Sequence, residues 1–199
     1  MTKNDEDFRI LVVDDSRELR EILEEYLRGE GDVVEGAQNG REALDKHKER
    51  FYDLIITDLN MPEMTGMDLI KTVKGENEIT EFIIVTGYAS MDTAVEAVKI
   101  GAFDYIVKPF RMEELRVVVR NARDKVKLKK LNARLLETLK GFYNEIGRYR
   151  PRTQDNAESG ARSNGEPKEV ASGPLGDTEK IVKEINDLGK LGKGRLLID

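Results

Sequence analysis

Short apolar runs alternate along the chain with longer segments in which apolar residues return every third or fourth position. The first run, residues 8–13, is apolar and β-branched apart from Arg9, and predicts a buried strand. Asp14, Asp15 and Ser16 end it and offer helix caps. Leu19, Ile22, Leu23, Tyr26 and Leu27 then recur at helical spacing, and Gly29 and Gly31 close that helix. Residues 32–36 predict a second strand. Asn39 and Gly40 form a turn, and Ala43 and Leu44 sit in a polar helix reaching Arg50. The third strand, residues 53–58, ends on Asp58. A short helix over residues 67–73 follows and stops near Gly75. Residues 81–86 form a fourth strand, broken by Gly87. Ser90 caps a helix carrying Met91, Ala94, Val95, Ala97, Val98 and Ile100, closed by Gly101. Residues 103–107 are the fifth strand, and a long helix begins near Arg111.

A βα unit is thus repeated five times, which calls for a parallel sheet covered on both faces. With right-handed crossovers and the first strand near the centre, the expected fold is α/β. It is a doubly wound, flavodoxin-like five-stranded parallel sheet of order 2-1-3-4-5. Its ligand crevice opens at the carboxyl ends of strands one and three, which carry Asp14, Asp15 and Asp58.

The periodicity does not stop where the sheet needs it to. Leu115, Val118, Val119, Ala122 and Val126 continue it, then Leu128, Leu131, Leu135, Leu139 and Phe142. Leu128, Leu131, Leu135, Thr138 and Phe142 alternate steps of three and four, the spacing of a two-helix seam. A second copy of the chain, the sheet of its own compact body, or a returning tail helix could cover that stripe. A second copy is the first choice. The expected organisation is a compact body over residues 8–125 and an extended final helix over residues 111–147. A linker over residues 150–176 follows, then a short amphipathic segment over residues 177–199 carrying Ile181, Val182, Ile185 and Leu188. Pro, Gly, Ser and charge dominate the linker, whose composition predicts disorder.

Composition narrows the chemistry. The 199 residues carry a net charge of −6, with no whole-chain sign of nucleic-acid binding. There is no cysteine, which removes disulfides, zinc thiolates and thiol nucleophiles, and His47 is the sole histidine. No apolar run is long enough to span a membrane and the first residues are polar, so a cytoplasmic protein is expected. His47 reads as a surface residue and the basic stretch over residues 120–134 as a solvated helix face. Gly189, Gly192 and Gly194 have neither dinucleotide-loop nor Walker spacing.

Three converging carboxylates repel one another unless a cation offsets them. All-oxygen ligands with room for water favour Mg²⁺ over a softer metal. Thr86 and Lys108 end strands four and five; a hydroxyl and an ammonium there can hold a phosphoryl group while Asp58 attacks phosphorus. Each residue has an ordinary reading alone: Asp14 and Asp15 as helix caps, Thr86 as a strand residue, Lys108 as a solvated lysine. Their joint position at strand ends favours the functional one.

Residues 8–125 resemble the receiver domain of two-component response regulators. The resemblance rests on Asp14 and Asp15, on Asp58, and on the turn Met61, Pro62, Glu63, Met64, Thr65 and Gly66. Thr86 with Gly87, and Lys108 with Pro109 and Phe110, complete it. Later stretches look most like receivers of the nitrogen-regulator type, although no standard output domain can be recognised. The resemblance implies a phosphoryl group taken from a cognate histidine kinase onto Asp58. It implies Mg²⁺ held by Asp15, Asp58 and the Asn60 backbone carbonyl, with Asp14 acting through water. Thr86 and Tyr105 would be switch residues, and the Lys108–Pro109 bond is usually cis in the family. The chain would then be no enzyme beyond its own phosphoryl transfer and dephosphorylation, signalling to an unknown downstream protein. A DNA-binding regulator with a truncated output region is the alternative, and a small-molecule phosphatase a third reading.

Overall fold

The computed structural model of the chain describes residues 8–148, without the side chains of residues 145–148. Five strands alternate with five helices. These are β1 (Arg9–Val13), α1 (Arg17–Gly29), β2 (Val33–Ala37), α2 (Gly40–Glu49), β3 (Leu54–Thr57), α3 (Gly66–Glu76), β4 (Glu81–Thr86), α4 (Met91–Lys99), β5 (Asp104–Val107) and α5 (Met112–Arg148). The strands form one parallel sheet of order β2-β1-β3-β4-β5, the flavodoxin-like arrangement that the alternation predicts. The expected linker over residues 150–176 and the segment over residues 177–199 lie outside the described residues.

Successive strand residues point to opposite faces, and both faces are apolar. Ile10, Val12, Leu54, Ile56, Ile83 and Val85 pack beneath α1 and α5. Leu11, Val13, Ile55, Phe82 and Ile84 pack against the other helices. Ile55, Ile83 and Ile84 are wholly buried, and burying each such side chain stabilises by roughly 1.5–3 kcal/mol.

Polar residues punctuate the order. The side chains of Ser16, Asn39, Thr65 and Ser90 cap α1, α2, α3 and α4, each accepting from a backbone N–H in the first turn. Asn39, expected to be a turn residue, is therefore the start of a helix. Gly31 and Gly101 turn the chain after α1 and α4 at φ of +93° and +81°. α3 stops beside Gly75 as expected, at Glu76, where the Asn77 N–H donates to the Val73 carbonyl. Several strands also start a residue later than expected, so that Phe8, Asp32, Asp53 and Phe103 stand just before β1, β2, β3 and β5.

The final helix departs most from a plain sheet cover. Leu115, Val119, Ala122 and Val126 bury it against the sheet. Past Val126 its large apolar residues are exposed: Leu128, Leu131, Leu135, Leu139 and Phe142 are all more than half accessible. At about 3.6 residues per turn these five lie on the side opposite Ala122 and Val126. The chain's own sheet therefore does not cover the stripe.

Candidate functional site

The chain reverses direction across the sheet between β1 and β3, and their carboxyl ends open a crevice there. Asp14 and Asp15 follow β1 and Asp58 follows β3. Backbone bonds fix both ends: the Asp14 N–H donates to the Ala37 carbonyl at 3.2 Å, and the Asp58 N–H to the Val13 carbonyl at 2.9 Å. Asp14 and Asp58 are buried while Asp15 is exposed. One carboxylate oxygen from each of the three lies within 4.8 Å of the others. The set is all oxygen, two of its members are shielded from water, and like charges this close need an offsetting cation. Such a set fits a hard divalent ion such as Mg²⁺.

Lys108, just past β5, supplies part of the offset. Its ammonium donates to Asp14 Oδ2 at 2.6 Å and to Asp58 Oδ2 at 3.0 Å. Burial works against this ammonium, but hydrogen bonds and charge from Asp14 and Asp58 outweigh burial and hold its pKa above the ordinary lysine value. The Lys108–Pro109 bond is cis, as the resemblance implies.

Asp58 is held from both sides of its carboxyl group. Oδ1 accepts from the Leu59 N–H at 2.6 Å and the Asn60 N–H at 3.4 Å, leaving Oδ2 toward Lys108. The Thr57 hydroxyl donates to the Asp58 carbonyl at 2.9 Å. The turn that follows returns through Gly66, whose N–H donates to the Leu59 carbonyl at 3.0 Å. Glu63 turns the loop at φ of +67°, and its carboxylate accepts from the Asn39 side-chain amide.

The structure thus brings together Asp14, Asp15, Asp58 and Lys108. Thr86 ends β4 fully buried, and its hydroxyl accepts from the Tyr88 N–H at 3.2 Å rather than bonding a carboxylate. Tyr105 sits apart from the acidic cluster, its hydroxyl 3.0 Å from Thr93 Oγ1 in the first turn of α4. Asn60 is exposed beside Asp58. Three further residues support the site. Ser16 donates its N–H to Asp14 Oδ1, Arg20 donates to the Asp14 carbonyl, and Gly66 leaves room for the Asp58 backbone. Ser16 carries a sequence signal as a helix cap and Gly66 as the end of the turn after Asp58, whereas Arg20 carries none. His47 is half-buried rather than on the surface, with its ring stacked near Tyr52 at 6.2 Å between centroids.

Known proteins are similar to this chain in sequence and fold. The transcriptional regulatory protein ZraR of Klebsiella oxytoca is 43% identical over 113 residues, which are 57% of this chain and 26% of that protein. The chain therefore spans about a quarter of the length of such curated relatives. Among solved structures, the beryllofluoride-activated NtrC4 receiver domain dimer is 36% identical and has a TM-score of 0.57, covering 59% of this chain and 98% of that one. The chemotaxis protein CheY4 of Vibrio cholerae is 34% identical with a TM-score of 0.56, covering 59% of this chain and 99% of that one. Residues 10–120 match the response regulator receiver domain, and with its acidic crevice, its sheet order and these relatives the chain belongs to that family.

Proposed function

We propose that the chain is a phosphorylation-controlled switch, in which Asp58 accepts a phosphoryl group from a histidine kinase. The observation that carries this reading is the Lys108 ammonium bonded at once to Asp14 and Asp58 in a crevice lined by a third carboxylate. Asp14, Asp15, Asp58 and the Asn60 backbone carbonyl would hold Mg²⁺. When bound, the ion supplies positive charge against the oxygens of the incoming group. The chain's own part is positional. The Leu59 and Asn60 N–H groups fix one oxygen of Asp58, so the other faces Lys108 and attacks phosphorus as the bond to the donor breaks. Lys108 then neutralises charge on the transferred group. Thr86 turns its hydroxyl from Tyr88 toward that group, and Tyr105 follows on the α4 side of the sheet. The chain acts on no other substrate beyond its own transfer and dephosphorylation.

The output is protein contact, with a second copy of the chain as first partner along the exposed stripe of α5 and an unknown downstream protein beyond it. A DNA-binding output is disfavoured by one observation: Arg123, Lys125, Lys129 and Lys130 of the basic stretch are engaged by carboxylates of the chain itself. Salt-dependent binding to duplex DNA would reverse that judgement. Among the described residues no helix is long and apolar enough to cross a membrane, which supports a cytoplasmic setting.

Beryllofluoride, a phosphoryl mimic, tests the site without a kinase. Amide spectra of the full chain should shift at residues 58–60, 86–88 and 105–108 when beryllofluoride and Mg²⁺ are present together. Spectra that do not respond, or that respond equally in Asp58→Asn, overturn the reading.

A further inference from the structure

We infer that the basic stretch of α5 is a clasp, which reads the amino-terminal ends of the strands and fixes the direction in which the final helix leaves the sheet. The inference does not depend on phosphorylation. Glu81, the first residue of β4, is wholly buried, with the ammonium of Lys129 at 2.6 Å and that of Lys125 at 3.2 Å. Lys129 also donates to the Glu78 carbonyl. Asp53, just before β3, is buried and takes Lys130 at 2.7 Å. Asp32, just before β2, takes Arg123.

The two remaining positions of this row are aromatic and are met by the same side chains. The Arg123 guanidinium lies 4.5 Å from the centre of the Phe8 ring before β1, and the Lys125 ammonium 5.1 Å from that of Phe103 before β5. Every strand therefore presents a carboxylate or an aromatic ring at its amino-terminal end, and α5 supplies a cation to each.

An isolated buried carboxylate is strongly disfavoured, so Glu81 and Asp53 hold their partners; Lys74 of α3 stands farther from Glu81, at 3.8 Å, and Asp53 also accepts from the Arg9 N–H at 3.1 Å. An apolar stripe alone lets a helix roll and slide on a sheet by small amounts. Charges bonded at three strand ends permit one azimuth and one axial position. That azimuth turns Leu128, Leu131 and Leu135 away from the sheet. The lysine stems lie on the sheet side of the helix, where Lys129 and Lys130 are half-buried.

The chain has no cysteine, so two introduced ones take spin labels uniquely. Labels at the exposed positions Lys48→Cys on α2 and Lys140→Cys on α5 report the helix direction in the full chain. Dilution with unlabelled chain keeps the distances intramolecular. The parent should give one narrow distance distribution. Adding Glu81→Gln and Asp53→Asn should broaden it and shift its mean, while Lys127→Gln, outside the clasp, should leave it unchanged. If the charge-deleted chain does not fold, E81Q/K74Q/K125Q/K129Q removes the cluster together with Lys74 of α3, 3.8 Å from Glu81, leaves no orphan charge and should broaden the distribution likewise. A distribution that stays narrow with an unmoved mean in the folded variants overturns the clasp, as does a broad distribution in the parent.

Discussion

A methyl group on Gly66 would sit 2.1 Å from the Asp58 carbonyl oxygen. No real Cβ tolerates that approach, so Gly66→Ala must push back the backbone that carries the acidic residue. The expected cost is about 1–3 kcal/mol of stability, the usual range for forced overpacking. Urea unfolding would measure it, and an unchanged midpoint would contradict it. His47 gives a second expectation at this scale. Burial lowers its pKa below the ordinary value of 6.5, against the opposing charge of Glu76. The unfolded chain therefore binds the proton first as pH falls. Stability from the neutral ring is complete above pH 6.5 and is lost as pH falls toward the lowered folded value. His47→Gln should make the urea midpoint less sensitive than the parent's between about pH 7.5 and about pH 5.5. Equal sensitivity in the two chains would remove the argument.

Among the elements, the strands were the most legible, because β-branched runs such as those around Ile55 and Ile83 have no good alternative to burial. The caps were partly legible. Ser16 and Ser90 were visible beside clear helical periods, whereas Asn39 and Thr65 precede helices with weaker apolar stripes. The basic stretch of α5 is a solvated face only in part: Arg120, Lys125, Lys127 and Arg134 are exposed, whereas Arg123, Lys129 and Lys130 are half-buried. Its partners Asp53 and Glu81 are distant in sequence, and a lysine beside water and a lysine beside a buried carboxylate have the same local pattern. The acidic crevice was legible because each member stands at a strand end. The bonds of Asp58 to the Leu59 and Asn60 N–H groups were not, since they depend on backbone geometry. The length of α5 was legible too, and it sets the prediction for this element. Each leucine of the stripe that a second copy buries is worth roughly 1.5–3 kcal/mol. Leu131→Glu with Leu135→Glu should therefore convert a dimer to a monomer without loss of the sheet. Sedimentation equilibrium would show it, and a parent chain that is monomeric with and without beryllofluoride would remove the dimer.

For the whole molecule, one sheet links two ends with different chemistry. The carboxyl ends of the strands gather Asp14, Asp15, Asp58 and Lys108, and the amino ends hold α5 through Asp53 and Glu81. β4 joins the two, with Glu81 at its start and Thr86 at its finish. On this account the crevice takes the phosphoryl group and the helix presents the outcome, so everything depends on Asp58 being the acceptor. The full chain should be incubated with acetyl phosphate and Mg²⁺, trapped with hydride, and its peptides read by mass spectrometry. The account predicts label on Asp58 alone, dependent on Mg²⁺ and lost in Asp58→Asn. Undiminished label at another residue of Asp58→Asn would contradict it.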